Sequence, residues 1–328
     1  MKQTAKIKIN NLGAIAGCLF LSLLAACGQP KADSELKGWR KEVGQIRLGV
    51  NTGEDAATAL TRWNYLKERL SRITGLRTEI FQATDYNGVI QALASGQLEM
   101  AQMGASAYAN ARDQMGTKVE PILTSRTAEG LSGYYSILVV RADSPYRKLE
   151  DLRGKTVGYV DFNSTSGYLY PRNKMLNQGL DAETFFGKSV VSGGHSQGVL
   201  GLANGQFDAV FALANAGTPE TGFTNGTIWA LARKGSIKAS DFRIIWTAGP
   251  MPNSPYVIRT DRPQIFQDIM RGALAALPYE DPERWKELGM PEGSDLMPVA
   301  NIDYAEILEM RHAEVAQRRG MSKTGEKR

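Results

Sequence analysis

The chain has 328 residues, with 39 Lys and Arg against 34 Asp and Glu, a formal net charge of +5 and two Cys. This charge balance excludes the strongly basic surface of a nucleic-acid-binding protein. The length is sufficient for two domains of ordinary size.

Residues 1–26 predict an export signal. Three Lys precede an apolar run over 12–26, which leads into "LAAC" (24–27). Small residues before a Cys, behind a short apolar run, indicate a lipoprotein-type signal; a soluble signal that is cut elsewhere is the alternative. We expect Cys27 to become an acylated N-terminus that holds the protein at a membrane surface. Without the three Lys of the signal, the net charge falls to about +2.

The mature chain then contains no free thiol. Cys18 lies in the signal and Cys27 carries the lipid, so disulfides, thiolate catalysis and zinc–thiolate sites are excluded. We also expect no other metal site and no cofactor, because the two His are far apart and no Gly-Lys-Ser/Thr phosphate loop occurs. No second apolar run reaches the roughly 20 residues of a membrane span. The polar residues of 27–44 predict a tether between lipid and fold.

The first folded segments alternate between strand and helix patterns. "IRLGV" (46–50) and "TEIF" (78–81) predict strands. A helix is predicted between them, with Gly75 as its stop. Its apolar residues recur at helical spacing: Leu60, Trp63, Leu66, Leu70 and Ile73. Such alternation favours an α/β fold with largely parallel sheets.

Two segments of the chain resemble each other. "DYNGVIQALASGQLEMA" (85–101) matches "GHSQGVLGLANGQFDAV" (194–210) at a constant offset of 109 residues. Each predicts a helix, a glycine stop and the start of a strand, which we interpret as two similar α/β lobes. The alignment pairs Tyr86 with His195 at the helix N-termini, where ligands of open α/β sheets bind. A ligand between the lobes would contact both side chains.

Two segments predict connections between the lobes. Pro145 and a high charge density interrupt the pattern over 141–155, and three prolines interrupt it in "AGPMPNSPY" (248–256). The predicted first lobe is therefore 45–140 plus 250–328, and the predicted second lobe is 141–249.

A cluster of hydroxyl residues occurs in "DFNSTSGYLYP" (161–171), between a predicted strand, "KTVGYV" (155–160), and a predicted helix. Helix N-termini expose unpaired N–H groups and bind anions. The hydroxyls of Ser164, Thr165 and Ser166 add donors, and we expect Gly167 to let the ligand approach the backbone. One hydroxyl is ordinary capping, but three in a row predict an oxyanion site made of neutral dipoles.

This stretch resembles the phosphonate-binding motif of the periplasmic substrate-binding proteins of phosphonate ABC transporters. Three further segments are similar to that family: "ATDYNGVIQALASGQLEMA", "GYYSILVVRADSPYRKLEDLRGKTVGY" and "SGGHSQGVLGLANGQFDAV". The resemblance covers about residues 45–275. It implies a two-lobed, type II periplasmic binding protein fold with the ligand cleft between lobes, a monomer, an ABC transporter permease as partner, and no catalysis.

The resemblance also implies roles for individual residues. The phosphonate group would be bound by Ser164, Thr165 and Ser166 at the helix N-terminus. Tyr86, His195 and a tyrosine at Tyr134 or Tyr135 would join them.

Two positions depart from the members of the family that bind aminoalkyl phosphonates. Asn215 and Ser254 stand where those proteins have acids. A buried ammonium group without a carboxylate is costly. We therefore expect a phosphonate with a neutral tail, a phosphate ester or a small oxyanion such as phosphite, with Asn215 and Ser254 as hydrogen-bonding partners of a polar tail.

A serine hydrolase is the remote alternative. "GHSQG" (194–198) matches the G-x-S-x-G pattern with Ser196 as nucleophile. His312 would have to complete the triad, but it lies in a predicted amphipathic terminal helix, whereas a catalytic histidine sits on a loop. Glu99 and Asp208 are interpreted as residues at strand starts and not as a catalytic pair.

Overall fold

The computed structural model describes residues 36–50, 56–288, 290 and 292–325. The predicted signal peptide, Cys27 and the first part of the predicted tether lie outside these residues. None of the helices in the described ranges is long and apolar enough to cross a membrane.

The strands and helices alternate along most of the chain. The strands are β1 (Ile46–Val50), β2 (Thr78–Gln82), β3 (Met100–Gln102), β4 (Val119–Arg126), β5 (Gly133–Arg141), β6 (Thr156–Tyr159), β7 (Lys188–Val191), β8 (Ala209–Thr218), β9 (Gly222–Gly226), β10 (Phe242–Pro252), β11 (Pro255–Arg259) and β12 (Asp295–Pro298). The helices are α1 (Trp39–Val43), α2 (Ala56–Thr74), α3 (Tyr86–Ala94), α4 (Ala105–Met115), α5 (Tyr170–Asn177), α6 (Ala182–Phe185), α7 (His195–Ala203), α8 (Thr227–Arg233), α9 (Gln264–Glu280), α10 (Pro282–Glu287) and α11 (Ala305–Gly325). A π-helical turn, Thr165–Leu169, leads into α5.

The strands form two sheets. The first has the order β12-β4-β11-β3-β1-β2, and the second has the order β10-β5-β8-β6-β7, with β9 paired to β8. In each sheet the three strands at one end, β3-β1-β2 and β8-β6-β7, are parallel to one another. The predicted α/β fold with two lobes is confirmed.

The first predicted elements agree with the structure, apart from one side chain. β1, α2 and β2 lie where the sequence predicts them, and Gly75 ends α2 with a φ of +71°. Leu66 and Leu70 are fully buried, but Ile73 is 42% exposed. Thr74 occupies the buried position in the last turn instead, where its hydroxyl donates to the Leu70 carbonyl at 2.6 Å.

The duplication extends to the pairing register of the strands. Arg47 pairs with Glu79, and Thr156 pairs with Lys188. Leu48 pairs with Met100, and Val157 pairs with Ala209. Each second pair lies 109 residues after the first, the offset found in the sequence.

The two aligned acids have the same structural role. Arg47 N–H donates to the Glu99 carboxylate at 2.7 Å, and Glu99 N–H donates to the Arg47 carbonyl at 3.1 Å. Thr156 and Asp208 exchange the equivalent bonds, both at 2.9 Å. Each carboxylate thus fastens the start of its strand to the central strand, which confirms the predicted position of both acids.

The first crossing between lobes lies earlier than predicted. β5 pairs with β8 and β10 inside the second sheet, so the chain crosses over 127–132 and not over 141–155. The prolines and charges of 141–155 mark a connection within the second lobe, between β5 and β6. The return crossing lies at 253–254, between β10 and β11 and inside the predicted proline-rich segment.

The end of the predicted tether belongs to the fold. Val43 of α1 is buried, and the Trp39 ring lies 6.2 Å from the Phe266 ring of α9. Arg40 Nε donates to the Thr74 carbonyl at 2.6 Å. The prediction was wrong for 36–44, because the surrounding charged residues concealed the two apolar anchors.

Candidate ligand site between the two lobes

A cleft of about 370 Å³ lies between the two sheets. All eight predicted ligand residues line it: Tyr86, Tyr134, Ser164, Thr165, Ser166, His195, Asn215 and Ser254. Tyr134 lines the cleft, whereas the Tyr135 ring packs against Phe223 at a centroid distance of 5.3 Å. The structure therefore separates the two tyrosines that the sequence left open.

Ser164 begins the helix that carries the hydroxyl cluster. Its Oγ accepts the Gly167 N–H at 3.1 Å, which is an N-cap hydrogen bond. A hydroxyl that accepts in this way still has its own hydrogen to donate. Ser164, Thr165 and Ser166 are all buried, so a donated hydrogen bond here would be made with little competition from water.

Gly167 is required by packing rather than by access to a ligand. A Cβ on this residue would lie 2.3 Å from Val160 Cγ2 and 2.9 Å from Ser164 Oγ. The turn therefore packs directly onto the residue that follows β6. We expected Gly167 to let the ligand approach the backbone, but the structure explains the glycine by this close packing instead.

Thr165 connects the hydroxyl cluster to the other lobe. Its Oγ1 accepts the Ser106 N–H at 2.9 Å, at the N-terminus of α4. On the second-lobe side, Ser136 Oγ donates to the Ser166 carbonyl at 2.7 Å. The position of the cluster thus depends on residues from both lobes.

Two tyrosine hydroxyls converge on the cluster. The Tyr86 hydroxyl lies beside Ser164, and the Tyr134 hydroxyl lies beside Thr165 and Ser166. Burial raises the pKa of both phenols above the ordinary value. Both therefore keep their protons near neutral pH and can donate to an anion.

His195 is the first residue of α7, at the position predicted from the duplication. It is 8% exposed, and burial lowers its pKa to about 4. The ring is therefore neutral at pH 7 and carries one N–H. Its Nδ1 is buried and has no hydrogen-bond partner among the residues that the structure describes. A buried polar atom without a partner is costly, and the residue that carries it lines the cleft.

Asn215 lies at an irregularity in the second sheet. Ala214 pairs with Gly226 and Ala216 pairs with Asn225, so Asn215 is displaced from the ladder between them. Bulges of this kind redirect a side chain. Its Oδ1 is buried and has no partner within the described ranges. Ser254 faces the same cleft from the first lobe, at the return crossing.

Several cleft residues were not predicted as ligand residues. They include Trp63, Gln102, Arg126, Asn225, Arg233 and Asn253. Trp63 was assigned to the apolar face of α2 because its spacing fits that face. The others are single polar residues in segments without a motif, and only the tertiary structure brings them together.

The arrangement does not support a catalytic triad. Ser196 lines the cleft, but His312 Nε2 lies 2.7 Å from Asp113 Oδ1, where α11 packs on α4, and does not line the cleft. In the described part of the chain, no group of three or more His, Cys, Asp or Glu could hold a metal ion. The eight predicted residues form a set of neutral hydrogen-bonding groups in the cleft, which suits the binding of an oxyanion.

Comparisons with known proteins agree with this chemistry. The family model for the periplasmic substrate-binding protein of phosphonate ABC transporters matches residues 48–308. The chain is 28% identical to the phosphate-import protein PhnD of Mycolicibacterium smegmatis over 255 residues, 75% of each chain. It is 27% identical to the phosphonates-binding periplasmic protein of Escherichia coli over 230 residues, 68% of this chain and 63% of that protein.

A solved structure gives the same result. The binding protein component of an ABC phosphonate transporter from Pseudomonas aeruginosa superimposes with a TM-score of 0.71 at 25% identity, covering 83% of this chain and 88% of that one. The two lobes are those of a type II periplasmic binding protein. The chain therefore belongs to the family of periplasmic substrate-binding proteins of phosphonate ABC transporters, and it is a binding protein and not an enzyme.

Proposed function

We propose that the chain captures a phosphonate, or a related phosphorus oxyanion such as phosphite or a phosphate ester, whose tail carries no ammonium group. The main support for this proposal is the hydroxyl cluster, which has two protonated tyrosines and a neutral histidine around it. Ser164, Thr165 and Ser166 donate to the oxyanion. The ligand bridges the lobes and is passed to the permease of an ABC importer.

The tail is recognised without a carboxylate. None of the described residues that line the cleft is Asp or Glu. Asn215 and Ser254 offer hydrogen bonds to a polar tail, and a buried ammonium group, which is costly without a carboxylate, would find none among these described residues. This charge pattern supports discrimination against aminoalkyl phosphonates.

A ligand panel tests the proposal. Methylphosphonate, ethylphosphonate, 2-aminoethylphosphonate, phosphite, phosphate and sulfate are titrated into the mature domain by calorimetry, alongside a thermal-unfolding screen. A ligand at 100 times its Kd stabilises the fold by about 2.7 kcal/mol. We expect the alkyl phosphonates to bind at least as tightly as the amine. Binding of phosphate or sulfate alone would contradict the proposal.

Asn215→Asp is the matched gain-of-charge variant. It restores a carboxylate near the tail, so we expect 2-aminoethylphosphonate to gain affinity relative to ethylphosphonate. Asn177→Asp, an exposed position on the second lobe, is the control and leaves the ratio unchanged. If wild-type protein already prefers the amine strongly, the tail assignment of Asn215 and Ser254 is wrong.

We further propose that Cys27 carries the lipid that holds the monomeric protein on the periplasmic side of a bacterial membrane, or on the outer face of the cell membrane. The support is "LAAC" at the end of the apolar run. Mass spectrometry of protein extracted from membranes should find a diacylated or triacylated Cys27. A Cys27→Ala protein that is processed normally and stays membrane-bound would contradict the anchor.

A further inference from the structure

The cleft contains an arginine that the proposed oxyanion site does not use. Arg233 lines the cleft together with Asn215 and Asn225. Its Nη2 donates to Asn225 Oδ1 at 2.7 Å. Asn225 lies on β9, beside the irregularity that carries Asn215. The guanidinium therefore belongs to the part of the cleft that we assign to the ligand tail.

Arg233 has no acidic partner among the described residues. The second cleft arginine, Arg126, differs in this respect, since it binds both oxygens of Asp295 at 3.0 and 2.5 Å. No described residue that lines the cleft is acidic, and the pKa of His195, about 4, leaves that ring uncharged at pH 7. Among the described residues that line it, the cleft thus carries one positive charge without an acidic partner, in addition to its neutral donors.

The ordinary role of an arginine at this position does not account for its contact. Arg233 is the last residue of α8, where a cation is favoured by the exposed carbonyls of the helix C-terminus. Its guanidinium instead reaches back to Asn225, which precedes the first residue of α8. The side chain is held away from the helix end and beside the cleft.

We propose that the tail subsite takes a second anionic group, a carboxylate or a second phosphorus oxyanion, with Arg233 as its counter-ion. This inference rests on the proposed function, since the first oxyanion is held by the hydroxyl cluster. A cleft of about 370 Å³ is within the size range of small-molecule sites, about 300–1,000 Å³. Phosphonocarboxylates and bisphosphonates are the ligand classes that fit.

The effect of Arg233 is read as a ratio of affinities. Phosphonoacetate is compared with ethylphosphonate, and 3-phosphonopropionate is compared with propylphosphonate. Methylenediphosphonate tests whether the second anion can be a phosphorus oxyanion instead of a carboxylate. Arg233 is exposed, and an ion pair with an exposed side chain is worth up to about 1 kcal/mol, or about fivefold in affinity. We expect wild-type protein to bind each ligand with a second anionic group up to about fivefold more tightly than its alkyl counterpart.

Two variants separate a local contact from general electrostatics. Arg233→Gln should bring the ratio close to one, while the Kd of ethylphosphonate changes by less than about twofold. Lys234→Gln removes a positive charge from the next residue, which is exposed like Arg233 but does not line the cleft, and should leave the ratio unchanged.

The outcomes are distinguishable from failure of the proposed function. If the alkyl phosphonates bind but the ratio is near one, or if Arg233→Gln leaves the ratio as in wild type, the second-anion subsite is overturned and the phosphonate site stands. If no phosphonate binds with any tail, both proposals fail. A ratio that falls equally in Lys234→Gln also overturns the subsite, because a long-range field would then explain the preference.

Discussion

Thr165 Oγ1 in the second lobe accepts the backbone N–H of Ser106 in the first lobe at 2.9 Å. The same hydroxyl therefore accepts a hydrogen bond from the N-terminus of α4 in the first lobe and belongs to the proposed anion site in the second lobe. A contact of this kind links the arrangement of the lobes to the geometry of the site, since a ligand stabilises the closed state through its differential affinity.

The first prediction concerns this hydroxyl. Thr165→Val keeps the volume but leaves the buried Ser106 N–H without an acceptor, which should lower the free energy of unfolding by about 1–3 kcal/mol and weaken ligand binding about tenfold or more. Thr165→Ser retains the hydroxyl and should stay near wild type in both. Chemical denaturation and calorimetry measure the two effects. Unchanged affinity in Thr165→Val would restrict Thr165 to a contact between lobes.

The tyrosines that flank the cluster provide the second prediction. Tyr86→Phe and Tyr134→Phe each remove one donor to the oxyanion, so we expect each Kd for an alkyl phosphonate to rise about 10- to 150-fold. Tyr135→Phe is the matched control, because Tyr135 packs on Phe223 and does not line the cleft. Equal effects of Tyr134→Phe and Tyr135→Phe would argue against the assignment of Tyr134.

Gly167 provides the third prediction. The Cβ of Gly167→Ala would lie 2.3 Å from Val160 Cγ2, so we expect a loss of about 1–3 kcal/mol in the free energy of unfolding from overpacking. Gly272→Ala in α9 has open space around its Cβ and should stabilise the protein by about 0.5–1 kcal/mol. A Gly167→Ala protein as stable as wild type would show that the turn can move away from β6.

The fourth prediction is a pH dependence set by His195. Its pKa in the folded protein, about 4, is below the ordinary value of 6.5, so the unfolded chain binds more protons between these values. The free energy of unfolding should fall by up to about 3 kcal/mol as the pH decreases from about 6.5 to about 4. His195→Gln should flatten this loss, and His312→Gln, with its exposed ring, should retain it. Denaturant titrations across the window measure both, and an identical slope in His195→Gln would refute the assignment.

The fifth prediction compares the two duplicated acids. Glu99 is fully buried and bonds to the guanidinium groups of Arg47 and Arg262, so Glu99→Ala should cost about 3–5 kcal/mol of stability. Asp208 binds the Thr156 N–H and the Tyr146 hydroxyl, both neutral, so Asp208→Ala should cost about 1.5–3 kcal/mol. The reverse order in equilibrium unfolding would contradict the argument that the two guanidinium partners of Glu99 make it the costlier of the two acids to remove.

Much of the architecture could be read from local pattern. The alternation of strands and helices, the constant offset of 109 and the positions of Tyr86 and His195 at helix N-termini all depend on short-range periodicity, which a sequence displays directly. The resemblance of "DFNSTSGYLYP" to the family motif predicted that the ligand carries a phosphonate group. The sequence predictions were wrong at two places where composition was misleading. The charged residues around Trp39 and Val43 concealed a helix that packs on the fold, and the proline and charges around Pro145 mark a connection inside the second lobe rather than a crossing between lobes.

By itself, the sequence determined the two similar lobes and the hydroxyl cluster, because helix capping and the periodicity of strands and helices follow from neighbouring residues. The class of ligand followed from the resemblance to the family. Only the tertiary structure decided which side chains share the cleft. It separated Tyr134 from Tyr135, assigned Gly167 to packing, joined Thr165 to Ser106 and placed Arg233 in the same cleft as Asn215. These relationships join residues that are distant in the chain or alike in type, and tertiary packing, rather than any local pattern, brings them together.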